Sequence, residues 1–395
     1  MELVFEDVND GFATLVEMIL RNKLETTKTA SRAGDVIAIN EPMLITYVNP
    51  CHRVLFNPLR DCNCFFQLYE ALWMLAGRND VSPLAYYNRR MTEFSDDGKT
   101  LNGAYGYRWR TKPRMPWTDL YGASPAKFAE VHCGPVRRVD QLDILVDHLK
   151  KTPNSRRAVL QMWDVEDDLL KIDESKDVSC NLSVMFSLRQ GRCEVCDDYR
   201  GPDQDCPACN SESPTFLDMT VTNRSNDMIW GMLGANVVHF SFLLEYIAAR
   251  LGASVGRYHQ FTNNLHVYTS NWLPRKWLSV YGQYRTMYSP PNTRYEDLAS
   301  LVPLVVDPER FDRELPEFVE RHSKDATGVA YKLNSEPFLQ NVAQPLCTAF
   351  HYHKRRQYAD AMSVVQEILA DDWRIVATDW IRKRRSKYES KGNNA

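Results

Sequence analysis

The sequence predicts a fold that mixes helices and strands around a large hydrophobic core. Apolar residues recur with helical spacing in some segments and form short, continuous, strand-like runs in others. Of the 395 residues, 44% are hydrophobic and 25% are charged, which is ordinary globular composition. The formal net charge is -3 at pH 7, so no global basic field would draw the chain to nucleic acid.

Three further observations concern the compartment. No run of about 18 apolar residues occurs, so we expect no membrane span. The first twelve residues are partly acidic and have no basic segment, which is not the pattern of a secretory signal. The ten cysteines are therefore interpreted as reduced thiols or metal ligands. Together these features predict a cytoplasmic protein.

Predicted helices and strands follow one another along the chain. Helical apolar patterns occur at 10–25, 65–76, 141–151, 236–251 and 357–369. Extended apolar segments predict strands at 36–48, 157–163, 178–189, 215–223 and 256–262. The segment 236–251 is apolar on nearly all sides, so we expect it in the core. The basic and then polar tail, 381–395, is expected to fray.

Four polar features interrupt these apolar segments. Cys180 lies in a strand-like run, and 223–227 is a polar cluster between two apolar stretches. An arginine pair at 156–157 precedes another strand, and polar residues at 266 and 268 alternate on one predicted strand face. Polar groups pressed against apolar runs are costly unless they pair or bind something. Because arginine suits phosphate and lowers the pKa of a nearby thiol, these features predict a phosphate-bearing substrate and a cysteine nucleophile.

Seven short motifs follow one another along the chain. They are SRAG (31–34), YEALWMLAG (69–77), GAYGYRWR (103–110), NSRRAVLQMW (154–163), SCN (179–181), TNRSNDMIWGMLGAN (222–236) and NNLHVY (263–268). In these motifs and their order, over about residues 31–271, the chain resembles thymidylate synthase and the related deoxypyrimidylate hydroxymethylases. The resemblance implies an α+β fold, with a large twisted mixed sheet flanked by helices, and a homodimer with shared active sites. It implies a catalytic domain at 1–284 and leaves 285–395 as a C-terminal extension of unclear role.

The same resemblance assigns the nucleotide site. Cys180 is expected to attack C6 of the pyrimidine, and Arg224 to lie beside its thiol and favour the ionised form. Asn236 is expected to read the base. The remaining residues implied to bind the nucleotide monophosphate are Arg32, Arg224 and Ser225 at the phosphate, Arg156 and Arg157 reaching across the dimer to the partner's phosphate, and His266 and Tyr268 at the sugar 3′-hydroxyl.

The resemblance also implies a folate site. Asp227 matches the residue that binds the pterin ring of 5,10-methylenetetrahydrofolate, and Trp230 and Gly231 fall in the folate-facing part of the same motif. Glu70 matches the glutamate that organises water and proton transfers, and Tyr105 matches an active-site tyrosine.

Several of these residues also have a plainer interpretation. Cys180 alone is also typical of a buried core cysteine. The pair at 156–157 could be solvated surface cations, and the side chains at 266 and 268 could be satisfied core hydrogen bonds. Trp230 fits equally well as a pocket wall, and Glu70 as a helix-surface residue.

The product and the base depend on smaller departures from the family. The stretch before Tyr105 has no shielding tryptophan, with Met91 or Phe94 nearby, and Asn181 stands where synthases usually have histidine. The polar end of the chain replaces an apolar lid. These departures favour a wetter site and a 5-hydroxymethyl product, with thymidylate synthesis as the alternative. Asn236 favours dUMP, although one extra residue before it keeps dCMP open. Hydroxymethylating relatives are typically viral, which would place the enzyme in a host cytoplasm.

Residues 190–213 form an insertion between two predicted strands. Two C-x-x-C pairs separated by nine residues are typical of a structural Zn²⁺ site, with free or redox thiols as the alternative. The acidic composition of the insertion argues against nucleic acid. A regulator that binds nucleic acid through this insertion and the basic residues at 382–385 is the competing hypothesis to an enzyme. The predicted zinc ligands are Cys193, Cys196, Cys206 and Cys209.

Overall fold

The computed structural model describes residues 1–31, 34–57, 60–111, 113–114, 137–191, 214–269, 294–324 and 335–392. The strands in this part of the chain are β1 (Glu2–Phe5), β2 (Thr26–Ser31), β3 (Gly34–Ile39), β4 (Met43–Tyr47), β5 (Pro113–Arg114), β6 (Arg137–Arg138), β7 (Val159–Gln161), β8 (Asn181–Gln190), β9 (Thr215–Asn223), β10 (Asn226–Asp227), β11 (Ser254–Thr262) and β12 (Leu265–Tyr268). The α-helices are α1 (Val8–Leu20), α2 (Cys64–Leu75), α3 (Val81–Tyr87), α4 (Tyr105–Arg110), α5 (Gln141–Lys151), α6 (Asn236–Leu251), α7 (Tyr295–Leu298), α8 (Pro308–Arg321), α9 (Gln344–Lys354), α10 (Tyr358–Val365) and α11 (Asp371–Gly392).

A six-stranded mixed sheet lies at the centre of the fold. Its order is β1-β4-β11-β9-β8-β7, with β1 parallel to β4, β11 parallel to β9, and the other neighbours antiparallel. Alternate side chains face the core, as Val184 and Phe186 of β8 and Leu217 and Met219 of β9 do. The predicted α+β class is therefore confirmed. The predicted strand at 36–48 is instead two strands, β3 and β4, which lie in different sheets.

Two helices at the core carry residues that matter for the site. The α2 helix begins after Asn63, whose side-chain oxygen accepts a hydrogen bond from the Phe66 amide at 3.1 Å and so caps the first turn. The α6 helix continues a π-helix, Met228–Ala235, and ends at Gly252, whose φ of +68° favours glycine. The combined span Met228–Leu251 is long and apolar enough to cross a membrane, but its most apolar window is 78% buried inside the protein. It is the core helix that the sequence predicts.

A four-stranded sheet, ordered β10-β12-β3-β2, adjoins the core. The short strand β10 runs parallel to β12, with Asn226 opposite Leu265 and Asp227 opposite His266. This pairing brings two predicted site residues side by side, although they are widely separated along the chain.

The C-terminal helices pack directly on the core. Helices α8, α9 and α11 contact α2, and α8 also contacts α6. Phe311, Phe318 and Phe350 are buried in these contacts. The expectation of a frayed tail is wrong as far as residue 392, because α11 continues there. Within α11, the Arg384 guanidinium stacks 3.8 Å from the Trp380 ring centre and forms an ion pair with Asp61.

Candidate active site

Cys180 lies at the end of a loop, one residue before β8. The sequence predicts it within the strand, but β8 begins only at Asn181. The Ser179 amide donates to Asp168 Oδ1 at 3.1 Å, and the Arg224 amide donates to the Cys180 carbonyl at 2.9 Å. Neighbouring segments therefore hold the loop on both sides and present a half-buried thiol.

The Arg224 guanidinium contacts this thiol. Its Nη2 lies 3.7 Å from Cys180 Sγ. Its Nε donates to the Ser179 carbonyl at 2.8 Å, and Nη2 also donates to the Val178 carbonyl at 2.9 Å. Because backbone acceptors fix the guanidinium, a positive charge stands beside the sulfur, which favours the thiolate.

A buried ion pair connects the nucleophile loop to α4. Arg108 is 1% exposed and Asp168 is 0% exposed, and Arg108 Nη2 donates to Asp168 Oδ1 at 2.9 Å. Arg108 also donates to the carbonyls of Asn102 and Met162, which satisfies a charge that burial would otherwise penalise. Sequence reasoning missed this pair, because nothing local links an arginine and an aspartate 60 residues apart.

The first residue of α4 faces the same loop. Burial raises the pKa of Tyr105 well above its ordinary value, and the Cys180 charge adds to this effect. The hydroxyl therefore remains protonated and can donate. Burial also raises the pKa of Asp177, whose carboxylate accepts the Gly103 amide at 2.7 Å. Sequence reasoning missed Asp177 as well as Arg108 and Asp168.

The paired strands β10 and β12 carry three further predicted site residues, Asp227, His266 and Tyr268. Burial raises the pKa of Asp227, and its Oδ1 accepts the Trp230 amide. The carboxylate also lies close to the Tyr268 backbone amide, which lowers its pKa against the effect of burial. Among the described residues no contact of its buried Oδ2 has full hydrogen-bond geometry, so this oxygen can accept a further N–H donor, such as one of a pterin ring. On β12, the rings of His266 and Tyr268 lie 5.3 Å apart, as expected for side chains on one strand face.

Asn236 stands at the junction of the π-helix and α6. Its Nδ2 donates to Asn226 Oδ1 at 3.0 Å. A Cβ at Gly231 would come within 2.3 Å of that same Oδ1, so only glycine allows this approach. The extra residue noted in the sequence lies within the π-helix, which absorbs one residue locally. The amide of Asn236 is thereby held at the start of a core helix.

Glu70 of α2 meets His239 of α6. The Glu70 Oε2 atom lies 3.0 Å from His239 Nε2, and the two side chains are 13% and 5% exposed. The sequence carries a signal for this partner, since His239 is an imidazole within an otherwise apolar helical run.

The other predicted residues divide into exposed, half-buried and undescribed groups. Arg156 and Arg157 are exposed in the turn before β7, and Ser225 is half-buried. Trp230 is 46% exposed, and the Arg60 guanidinium stacks 3.9 Å from its ring centre. Among the described residues, no group of three or more histidine, cysteine or acidic side chains could hold a metal. Arg32 and the predicted zinc ligands lie outside the described residues, the latter being Cys193, Cys196, Cys206 and Cys209.

Comparison with known proteins decides the family. Residues 24–296 match the thymidylate synthase family. The chain belongs to this family. A deoxyuridylate hydroxymethyltransferase of Pseudomonas phage M6 is 35% identical over 389 residues, covering 95% of this chain and 93% of that protein. One from Bacillus phage SP01 is 35% identical over 63% of this chain and 57% of its own length. A thymidylate synthase of Streptococcus mutans is 27% identical over 42% of the chain and 49% of its own length.

Proposed function

We propose that this protein transfers the one-carbon unit of 5,10-methylenetetrahydrofolate to C5 of dUMP and releases 5-hydroxymethyl-dUMP. The observation that carries the proposal is the fixed contact between Cys180 and Arg224 in a member of this family. The similarity to the phage M6 deoxyuridylate hydroxymethyltransferase extends over nearly the whole length of both chains, which supports the hydroxymethyl product over the methyl product.

The chemistry follows from the side chains around the thiol. Arg224 favours the thiolate, which adds at C6 and makes C5 nucleophilic. C5 then attacks the one-carbon unit of the folate. Glu70, which is partly exposed, and the Tyr105 hydroxyl are the groups proposed to move protons as C5 loses its hydrogen and tetrahydrofolate leaves. The resulting C5 methylene accepts water, and expulsion of the Cys180 thiolate restores the ring.

Mass analysis of the nucleotide product tests the proposal directly. Wild-type protein with dUMP and methylenetetrahydrofolate should yield a product heavier by one CH₂O unit, together with tetrahydrofolate. Cys180→Ser should yield none. A product heavier by only CH₂, with stoichiometric dihydrofolate, would establish thymidylate synthesis instead. Absence of any covalent complex between the wild type and 5-fluoro-dUMP with folate would favour a non-catalytic protein.

The identity of the base rests on Asn236. Its amide can donate to O4 and accept from N3–H of uracil, whereas cytosine presents a donor at position 4 and an acceptor at N3. We therefore propose dUMP as the substrate over dCMP. Turnover of the two nucleotides side by side measures the preference, and faster turnover of dCMP would contradict it.

We further propose a homodimer with shared sites in the host cytoplasm. The exposure of Arg156 and Arg157 supports this arrangement, because the family resemblance implies that both residues bind the phosphate in the partner subunit's site. Subunits carrying Arg157→Ala, mixed with subunits carrying Cys180→Ser, should regain activity, since one complete site forms in each heterodimer. Homodimers of each variant are the controls, and no regain in verified heterodimers would contradict shared sites.

The insertion at 190–213 is proposed to hold a structural Zn²⁺ through its four cysteines. Metal analysis of the purified protein should find one equivalent per chain, which is lost when Cys193 and Cys209 are replaced together. A wild-type protein without zinc would contradict the assignment. Residues 1–284 are proposed as the catalytic unit and 285–395 as an extension. Its helices α8, α9 and α11 pack against α2.

A further inference from the structure

His239 is a buried imidazole whose placement calls for an explanation. It is 5% exposed and lies between the buried Val238 and Phe240 on the core helix α6. Its Nε2 lies 3.0 Å from Glu70 Oε2, which is within ion-pair distance. Within the part of the chain that the structure describes, however, Nε2 forms no hydrogen bond of acceptable angle. The two groups are close but misaligned, and a shielded polar nitrogen is costly unless a further group completes its hydrogen bonding.

The position of the pair relates it to the reaction. Glu70 is more exposed than His239, so the carboxylate is the accessible member and the imidazole stands behind it. His239 lies three residues after Asn236 on α6, and residues at this spacing share a helix face. The ring of the next residue, Phe240, stacks 6.0 Å from that of Tyr105. The imidazole therefore lies one helical turn from the residue proposed to read the base.

The residue after the nucleophile offers no imidazole. Asn181 is fully buried, and its Nδ2 donates to the Thr222 carbonyl at 3.2 Å and to Asn223 Oδ1 at 3.1 Å. It braces β8 against β9, and no proton-transferring group occupies this position. His239 supplies an imidazole to the site from a different element.

We propose that His239 is a positioning residue for the water-addition step, acting through the Glu70 carboxylate that activates the water. This inference rests on the proposed hydroxymethyl product. His239 orients the carboxylate so that an oxygen faces the water and not the interior of the protein, and it stabilises the carboxylic acid that forms when Glu70 takes up the proton.

The step balances without any further reagent. The water oxygen forms a bond to the C5 methylene carbon while one water proton passes to Glu70. The electron pair of the C5–methylene double bond moves into the ring as an enolate. The enolate then restores the C5–C6 double bond and breaks the bond to sulfur, so that Cys180 leaves as a thiolate. The proton taken up by Glu70 replaces the one that the site gave to a folate nitrogen, and neither oxidation nor reduction occurs.

The experiment separates water addition from the earlier steps. His239→Phe fills the volume but has no ring nitrogen, and His239→Gln restores a polar group near Nε2. We expect turnover of the phenylalanine variant to fall by about 10²–10⁴, the usual range for acid–base assistance. Its covalent complex with 5-fluoro-dUMP and methylenetetrahydrofolate should form at a rate within a few-fold of wild type, because that complex stalls before water adds. The glutamine variant should recover part of the turnover.

A chemical trap gives a second readout. If water addition slows, the electrophilic methylene survives longer, and added 2-mercaptoethanol should capture it as a 5-thioether nucleotide that wild type makes only in traces. His322→Phe is the matched control, since it removes another buried imidazole, in the C-terminal helices, and should leave turnover unchanged. Parallel loss of complex formation and turnover in His239→Phe would show a merely structural role and overturn the proposal, as would unchanged turnover. A wild type that makes no 5-hydroxymethyl-dUMP would instead refute the proposed function.

Discussion

The substitution Gly106→Ala should disable the enzyme through the contact between α4 and α2. An ideal Cβ at Gly106 would stand 1.8 Å from the Met74 carbonyl oxygen and 2.4 Å from its carbonyl carbon. The obstructing atoms are backbone, so no side-chain rotation relieves the clash. Restoring ordinary van der Waals separation requires the two helices to part by roughly 1.5 Å.

This separation would act on the site directly. Tyr105 precedes the glycine in α4, and Glu70 lies one turn before Met74 in α2. Overpacking of this kind costs about 1–3 kcal/mol of stability. A displacement of about 1 Å between catalytic groups can cost about 100-fold in rate, so we expect kcat to fall by about that factor.

Gly252→Ala is the matched control for this prediction. Its Cβ would meet no atom within 4 Å, but its φ of +68° imposes backbone strain. That strain costs about 1–2 kcal/mol, similar to the cost of the clash, at a position beyond the end of α6. Urea unfolding and steady-state turnover of both variants would be compared. Equal turnover in Gly106→Ala and wild type, or an equal loss in both variants, would refute the reasoning.

Three other substitutions test separate parts of the structure. Burial raises the pKa of Asp372 to about 6, so its stabilising contribution is complete at low pH and is lost as the pH rises through about 6. The free energy of unfolding of Asp372→Asn should therefore exceed that of wild type by up to about 3 kcal/mol at high pH and by little at low pH. Urea unfolding at both pH values measures the difference, and equal gains at the two would contradict this reasoning. Arg108→Met should cost about 3–5 kcal/mol by leaving Asp168 buried without its partner, and the added change Asp168→Leu should recover part of that loss. Asn236→Asp should shift relative turnover from dUMP toward dCMP, and an unchanged ratio would argue against base reading by this residue.

The sequence predicts the elements whose burial is a local property. The bounds of β9 and α5 agree with the apolar runs, because a strand or helix that faces the core shows this in its own residues. The prediction for the tail is wrong because the contacts that hold it lie outside residues 381–395: Arg384 stacks on Trp380, just before the tail, and forms an ion pair with the distant Asp61. Lysine- and arginine-rich segments look solvated when only their own composition is considered.

The candidate site divides in the same way. The order of the motifs predicts that Cys180 and Arg224 lie together, and the two side chains are in contact. The contact between Arg108 and Asp168 joins segments without a common motif, so sequence could not have predicted it. His239 could have been singled out as a polar residue in an apolar helix, but its partner is fixed only by the crossing of α2 and α6.

The π-helix before α6 has a consequence for how this site tolerates changes in chain length. An insertion in a regular α-helix rotates every later side chain by about 100° relative to the earlier ones. Here the π-helix at Met228–Ala235, which has more residues per turn, takes up the extra residue before α6 begins. The helix face that carries Asn236 and His239 therefore keeps its orientation. A single deletion within the π-helix would therefore be accommodated by reverting it to an ordinary helix. The same deletion one turn later, inside α6, would turn the site residues away from the nucleotide.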